Sequence, residues 1–178
     1  KRLFKLKNQF KKHNIDGYII PKNDEFFSEY SQKNRLKTIS NFTGSAGYAI
    51  ILKNKNYLFV DGRYTIQAEM ESGKEFEIVN YEKIFDCNLF KNLTIGLDPK
   101  LFTSEQVKKK FSKFNKIKKI DLNLVDNIFN KYHYKSNPFF SLDKSITGES
   151  HLSKIQKINK IIKKIKSNYL FISAPENI

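Results

Sequence analysis

Apolar residues in this chain come in runs no longer than a β-strand. The longest, Tyr48 to Leu52 and Tyr57 to Val60, fall far short of the roughly eighteen consecutive apolar residues that a membrane-crossing helix requires. Runs of this length, separated by polar turns and by segments with helical apolar spacing, predict a soluble protein that alternates helices with strands.

The alternation can be followed along the chain. Leu3, Leu6 and Phe10 predict a helix ending near Asn14, and Asp16-Gly17 then leads into the buried strand Tyr18-Ile19-Ile20 before Pro21. Lys22 to Lys37 reads as a polar stretch. Gly47 to Lys53 and Asn56 to Asp61, separated by Asn54-Lys55, predict an antiparallel hairpin. Gly62 breaks the second strand, Tyr64 to Ser72 has helical composition, and Gly73 stands where a helix C-cap is expected. Glu75 to Tyr81 and Leu93 to Asp98 predict two further strands, the second stopped by Pro99. Thr103 with Gln106 forms a capping-box pattern, opening a helix to about Phe114 that buries Val107, Phe111 and Phe114 and turns lysines outward. Ile117 to Leu124 returns as a strand. The order predicts an α/β layered domain with a mixed sheet. Pro138, Gly148 and several serines mark 136–150 as a linker. Beyond it, Leu152, Ile155, Ile158, Ile161, Ile162 and Ile165 draw a stripe on a lysine-rich helix, and Tyr169 to Ile172 reads as a buried strand. One helix and one strand make no independent core, so 151–178 reads as the truncated start of a second domain.

Charge and chemistry narrow the function. The net charge is +15, but only Arg2, Arg35 and Arg63 of the 33 cationic residues are arginine, the residue suited to bidentate recognition of phosphate or guanine. Nucleic-acid binding is accordingly the weaker reading of the charge. Cys87 is the only cysteine, which excludes an internal disulfide and suits a reducing, cytoplasmic setting. Lys1 to Lys12 lacks the apolar core and cleavage site of a signal peptide, and the absence of an initial Met leaves room for residues before Lys1. His13, His133 and His151 are far apart and match no metal-binding spacing. Cys87 has no neighbouring cation to activate its thiol. Asp24-Glu25, adjacent carboxylates without a second pair, suits a solvated loop better than acid–base work. Gly44-Ser45-Ala46-Gly47 matches neither phosphate-loop spacing and reads as a tight loop in which glycine permits positive φ. Asp61 is placed to cap the next helix and pair with Arg63.

Three stretches together carry a family resemblance: Asn23-Asp24-Glu25 with Ser28-Glu29-Tyr30, Phe42-Thr43-Gly44-Ser45-Ala46-Gly47, and Asp61-Gly62-Arg63-Tyr64 with Gln67-Ala68. In order and spacing they resemble the N-terminal domain of the creatinase/aminopeptidase P family, over residues 1–135, and the tail resembles the start of the second N-terminal-like domain of the long Xaa-Pro aminopeptidases. Phe26 departs from the pattern, because relatives often carry His there, and no family role transfers to it. The resemblance implies a mixed sheet flanked by helices, ribonuclease-H-like in layout, followed by the linker and the start of a similar domain. It implies an accessory region without catalytic or metal-binding residues, one that shapes substrate access and assembly. Catalysis would belong to a C-terminal domain holding two divalent metals, usually manganese, that activate water against the Xaa-Pro bond. The implied partners are that catalytic domain, proline-containing peptides and a second subunit of a homodimer, with no membrane. In the creatinase branch the loop corresponding to Gly44-Ser45-Ala46 reaches toward a neighbouring subunit's substrate. By that likeness Phe42, Thr43, Gly44, Ser45, Ala46 and Gly47, with Arg63, form a substrate-access loop. The alternatives are a stand-alone binding or scaffold domain of this fold and a basic nucleic-acid-binding module.

Overall fold

A computed structural model describes residues 1–28, 33–85, 89–129, 138 and 140–173. Glu29, Tyr30, Cys87, His133, the proposed domain end at 135, part of the linker and Pro175 to Ile178 lie outside the described residues. The chain divides into two compact units, Lys1–Tyr132 and His133–Ile178.

The first unit runs α1 (Arg2–Lys12), β1 (Gly17–Pro21), α2 (Arg35–Ser40), β2 (Tyr48–Leu52), β3 (Asn56–Val60), α3 (Thr65–Ser72), β4 (Glu77–Asn80), β5 (Thr94–Leu97), α4 (Ser104–Lys110), β6 (Lys116–Lys119) and α5 (Leu124–Phe129). One six-stranded sheet has the order β4-β3-β2-β1-β5-β6. The predicted hairpin is present, with Tyr48 opposite Phe59 and Ile50 opposite Tyr57. Strand β2 is antiparallel to both neighbours, whereas the β1–β5, β3–β4 and β5–β6 pairs are parallel. The fold is thus the expected α/β arrangement with a mixed sheet.

Period-two side-chain alternation divides the apolar residues between two cores. Tyr18, Ile20, Ala49, Ile51, Leu58 and Val60 face Leu6, Phe10, Leu36, Ile39, Phe42 and Val125. Ile19, Tyr48, Ile50, Tyr57 and Phe59 face Leu101, Phe102 and Phe111. Covering both faces explains why the central strands read as continuous apolar runs.

Two helices escaped the sequence reading. Helix α2 begins at the end of the supposed polar stretch and runs past it to Ser40, and α5 begins at the last residue of the supposed strand Ile117 to Leu124. Each has six residues, too few for a stable isolated helix, so packing makes them. Arg35, 1% exposed, joins them: Nε donates to Asp126 Oδ1 at 2.8 Å, and Nη2 donates to Asp126 Oδ2 and Glu25 Oε1, each at 2.6 Å. The capping box on α4 is formed as predicted, but the helix ends at Lys110 instead of near Phe114. Past its end, Asn115 Nδ2 donates locally to the Phe111 carbonyl at 3.4 Å, and the distant Asn92 amide donates to the Phe114 carbonyl at 2.8 Å. Phe111 is buried as expected, while Val107 and Phe114 are only half-buried.

The second unit, taken by itself, contains α6 (Lys144–Thr147), inside the predicted linker, and α7 (His151–Lys164). On α7 the side chains of Leu152, Ile155 and Ile161 are exposed, as is Ile165 at its C-terminal end. Tyr169 to Ile172 forms no strand and is exposed, because a strand needs a hydrogen-bonding neighbour and none of the described residues supplies one. Among the described residues no helix is long and apolar enough to cross a membrane.

Two predictions follow from these contacts. Phe111 meets Phe102 edge-on at 5.9 Å and Tyr48 at 6.3 Å, so Phe111→Ala lowers unfolding free energy by about 3–5 kcal/mol in urea denaturation. Arg35→Met leaves Asp126 without its cation and Glu25 with only the more distant Lys33, 3.8 Å away, and destabilises by about 2–4 kcal/mol, moderated because the two carboxylate side chains keep 23% and 29% exposure. Burial pushes the Glu25 carboxyl up, but the hydrogen bond and charge of Arg35 outweigh it and hold the group below its ordinary 4.5. A depressed carboxyl stabilises the fold fully above pH 4.5, and that contribution is lost as pH falls through the lower folded value. Acid unfolding followed between pH 5 and 2 is therefore shallower in Arg35→Met than in the parent.

Candidate functional site

Strands β1, β3, β4 and β5 run in one direction, so their carboxyl ends gather along one side of the sheet, where β2 begins. That side is where open α/β sheets bind ligands. A groove of about 410 Å³ lies there, lined by Lys22, Asn23 and Phe27 after β1, Ser45, Ala46, Gly47 and Tyr48 leading into β2, Asp61 after β3 and Tyr81 after β4.

The predicted access loop is only partly in this groove. Ser45, Ala46 and Gly47 line it, and Ser45 and Ala46 are exposed. Phe42 is fully buried, with its ring edge-on to Tyr64 at 5.8 Å, so it anchors the loop from the core. Thr43 is tied to α3: its amide and hydroxyl each donate to the Glu71 carboxylate at 2.7 Å, and Gln67 Nε2 donates to the Thr43 hydroxyl at 2.7 Å. Ser45 Oγ and the Tyr64 hydroxyl are hydrogen-bonded at 2.8 Å. The loop is therefore held by α3 and the turn before it while it presents Ser45 and Ala46 to solvent.

Glycine serves this loop through close approach. Among the described glycines only Gly148 has positive φ, so the expectation that the loop uses left-handed glycine is wrong. A Cβ on Gly44 would stand 2.2 Å from Phe42 Cζ, and one on Gly47 would stand 2.9 Å from the Phe59 carbonyl oxygen. The glycines let the loop lie directly on a buried ring and on β3.

Arg63 does not line the groove. Its Nη2 pairs with Asp61 Oδ2 at 2.8 Å, its amide donates to Asp61 Oδ1 at 2.9 Å, and its guanidinium lies 5.5 Å from the Tyr64 ring centre. The hydrogen bond from Arg63 holds the Asp61 carboxyl below its ordinary range, although partial desolvation opposes this. Asp61 caps the following turn as predicted, and it is the member of this pair that reaches the groove.

Lys22, Asn23, Phe27, Tyr48 and Tyr81 were missed, because the sequence signal for them is only that they follow or begin strands. Behind the groove, Lys110 Nζ donates to the Tyr48 hydroxyl at 3.2 Å and also to the Tyr81 hydroxyl. Burial, with the hydrogen bond and charge of Tyr81, pushes the Tyr48 phenol up.

The other chemistry-bearing residues have structural partners. Asp24 Oδ1 accepts from the Phe26 and Ser28 amides at 3.0 Å, and Glu25 belongs to the Arg35 cluster. His13 caps α1 at its C-terminus, and burial and the nearby Lys12 and Lys118 push its imidazole down. Among the described residues no three His, Cys, Asp or Glu side chains converge into a group able to hold a metal ion.

Comparisons with known proteins follow the same lines. The creatinase/prolidase N-terminal domain family model matches residues 2–127. A probable Xaa-Pro aminopeptidase P of Laccaria bicolor is 32% identical over an alignment covering 99% of this chain and 30% of that protein. Xaa-Pro aminopeptidase 1 of Dictyostelium discoideum is 28% identical, over 100% of this chain and 32% of its own length. The chain thus spans less than half the length of these relatives. Among solved structures, the X-prolyl aminopeptidase of Caenorhabditis elegans, described as a cytosolic enzyme with a di-nuclear active site, superposes with a TM-score of 0.70 at 24% identity, over 93% of this chain and 31% of that one. The N-terminal domain of the cytoplasmic peptidase PepQ of Mycobacterium tuberculosis gives 0.55 at 18% identity, over 71% of this chain and 97% of that domain. These structures share the fold.

Gly44→Ala tests the packing of the loop. The new methyl meets the Phe42 ring, and the substitution costs about 1–3 kcal/mol in thermal or urea unfolding.

Proposed function

Because the chain belongs to the creatinase/prolidase N-terminal domain family, we propose that it is the non-catalytic N-terminal region of a metal-dependent Xaa-Pro aminopeptidase and shapes peptide access to a catalytic domain outside this sequence. The observation that carries this reading is the Ser45–Ala46 rim, which faces solvent while Glu71, Gln67 and Tyr64 hold it in place. A fixed, exposed edge can orient an extended peptide and limit its length without reacting with it. Within this reading a pair of divalent metals, manganese by the resemblance, would be held by the catalytic domain and would activate water against the Xaa-Pro bond there. Ser45, Ala46 and Gly47 act at the entrance, and Arg63 supports it by orienting Asp61 and Tyr64.

The same reading makes residues 1–135 the accessory domain, 136–150 a linker and 151–178 the start of a second domain of the same kind. The exposed Leu152, Ile155, Ile161 and Ile165 stripe and the exposed apolar Tyr169 to Ile172 support it, since both offer surface that a domain core would cover. Homodimer assembly of the full-length enzyme and a cytoplasmic setting complete the proposal.

The test uses both lengths of protein. The 178-residue chain alone releases no N-terminal residue from an Xaa-Pro peptide, with or without added Mn²⁺. In the full-length enzyme, Ser45→Trp raises KM or lowers kcat while the thermal midpoint stays unchanged. Equal loss of stability and activity would assign the loop a purely structural role, and metal-dependent turnover by the isolated chain would overturn the accessory reading.

A further inference from the structure

Behind the groove stands a cation that no described carboxylate pairs with. Lys110, the last residue of α4, places its Nζ against the hydroxyls of Tyr48 and Tyr81 and 4.8 and 5.0 Å from their ring centres. Both tyrosines line the groove. Both phenolic oxygens accept from the ammonium, and the Tyr48 hydroxyl is also hydrogen-bonded to Tyr81, which leaves the Tyr81 O–H to donate. Burial keeps the Tyr48 hydroxyl protonated. A phenolic donor polarised by an ammonium behind it suits a carboxylate, which only accepts. The set lacks the arginine fork that favours phosphate, and Asp61, the one carboxylate that lines the groove among the described residues, is already paired with Arg63.

The rest of the groove suits a peptide. Its volume of about 410 Å³ falls in the range of small-ligand sites, which combine apolar and aromatic walls with a few polar groups. Phe27 forms part of the wall, is 47% exposed and has φ of 61°, a strained conformation for a bulky residue and a kind of strain that gathers at ligand clamps.

We propose that this groove binds a short peptide by its C-terminal carboxylate, with the Tyr81 hydroxyl, backed by the Lys110 charge, receiving the carboxylate and the preceding residues lying along Phe27 and Ser45 to Gly47. The inference rests on the access-loop reading for its place in the parent enzyme, where it would retain the trailing end of a peptide at the entrance. Lys110 is a positioning residue, acting with the tyrosine hydroxyls between it and the groove.

Calorimetry on the 178-residue chain at pH 7 compares N-acetyl-Gly-Pro-Ala as the free acid with its C-terminal amide. The acid binds about tenfold more tightly, the effect of one charge-assisted hydrogen bond. Lys110→Met, which keeps the aliphatic stem, removes the preference with the thermal midpoint retained. If that variant fails to fold, Tyr81→Phe removes one hydroxyl and reduces the preference. Equal affinity for acid and amide, no binding of either, or a preference intact in the folded variants overturns the proposal. Inorganic phosphate that displaces the peptide at lower concentration than acetate overturns the carboxylate assignment. A preference confirmed here alongside unchanged kinetics of full-length Ser45→Trp would leave the groove standing and overturn only the access-loop reading.

Discussion

Strand β1 is hydrogen-bonded on both sides, antiparallel to β2 and parallel to β5, and the rest of the first unit is arranged around that double pairing. Buried main-chain groups must all find partners. With all five of its residues buried, β1 has only the neighbouring strands to provide them. Asp16 locks the register at the start of the strand. Its carboxylate accepts from the Thr94 amide at 2.9 Å and from Lys53 Nζ at 2.6 Å, joining the start of β5 and the end of β2 to the start of β1. Hydrogen bonds from Lys53, then Thr94, hold this carboxyl below its ordinary range against the opposing effect of burial. At the other end the Lys22 amide donates to the Gly47 carbonyl at 3.1 Å, which sets one wall of the groove against the other.

The groove follows from that register. The chain after β1 and the chain before β2 are brought together at the sheet's edge, and α3 stiffens the second of them through Glu71. The Glu71 carboxyl is pushed up by partial burial but held low by the stronger effect of its Thr43 and Gln67 hydrogen bonds. Tyr48 links two roles: its ring belongs to the core with Phe102 and Phe111, and its hydroxyl meets Lys110 behind the groove. Core and site are consequently coupled through one side chain.

The high positive charge also has a structural account. All three arginines serve the fold: Arg2 donates to the Thr38 carbonyl and to Asn41 Oδ1 at 3.0 and 2.8 Å, Arg35 joins α2 to α5, and Arg63 pairs with Asp61. The residues best suited to gripping phosphate are thus engaged within the molecule. Lysines occupy exposed faces, including Lys116 and Lys119 on the edge strand β6, where charge discourages pairing with another chain.

The sequence by itself determined whatever depends on near neighbours. The hairpin between Tyr48 and Val60, the capping box of Thr103 and Gln106 and the Asp61–Arg63 pair are legible because each is completed within a few residues. The motif Phe42 to Gly47 was legible as well, since its Gly44 is demanded by local packing on Phe42. Tertiary structure alone decided the existence of α2 and α5, too short to persist without Arg35 and the sheet, and the turn after α4, where the Asn92 amide meets the Phe114 carbonyl. It also decided the groove, because Lys22, Tyr48, Tyr81 and Lys110 are far apart in the chain and meet only when strand order and register bring them to one edge. Their meeting is a matter of long-range geometry, and no local pattern of residue types encodes it.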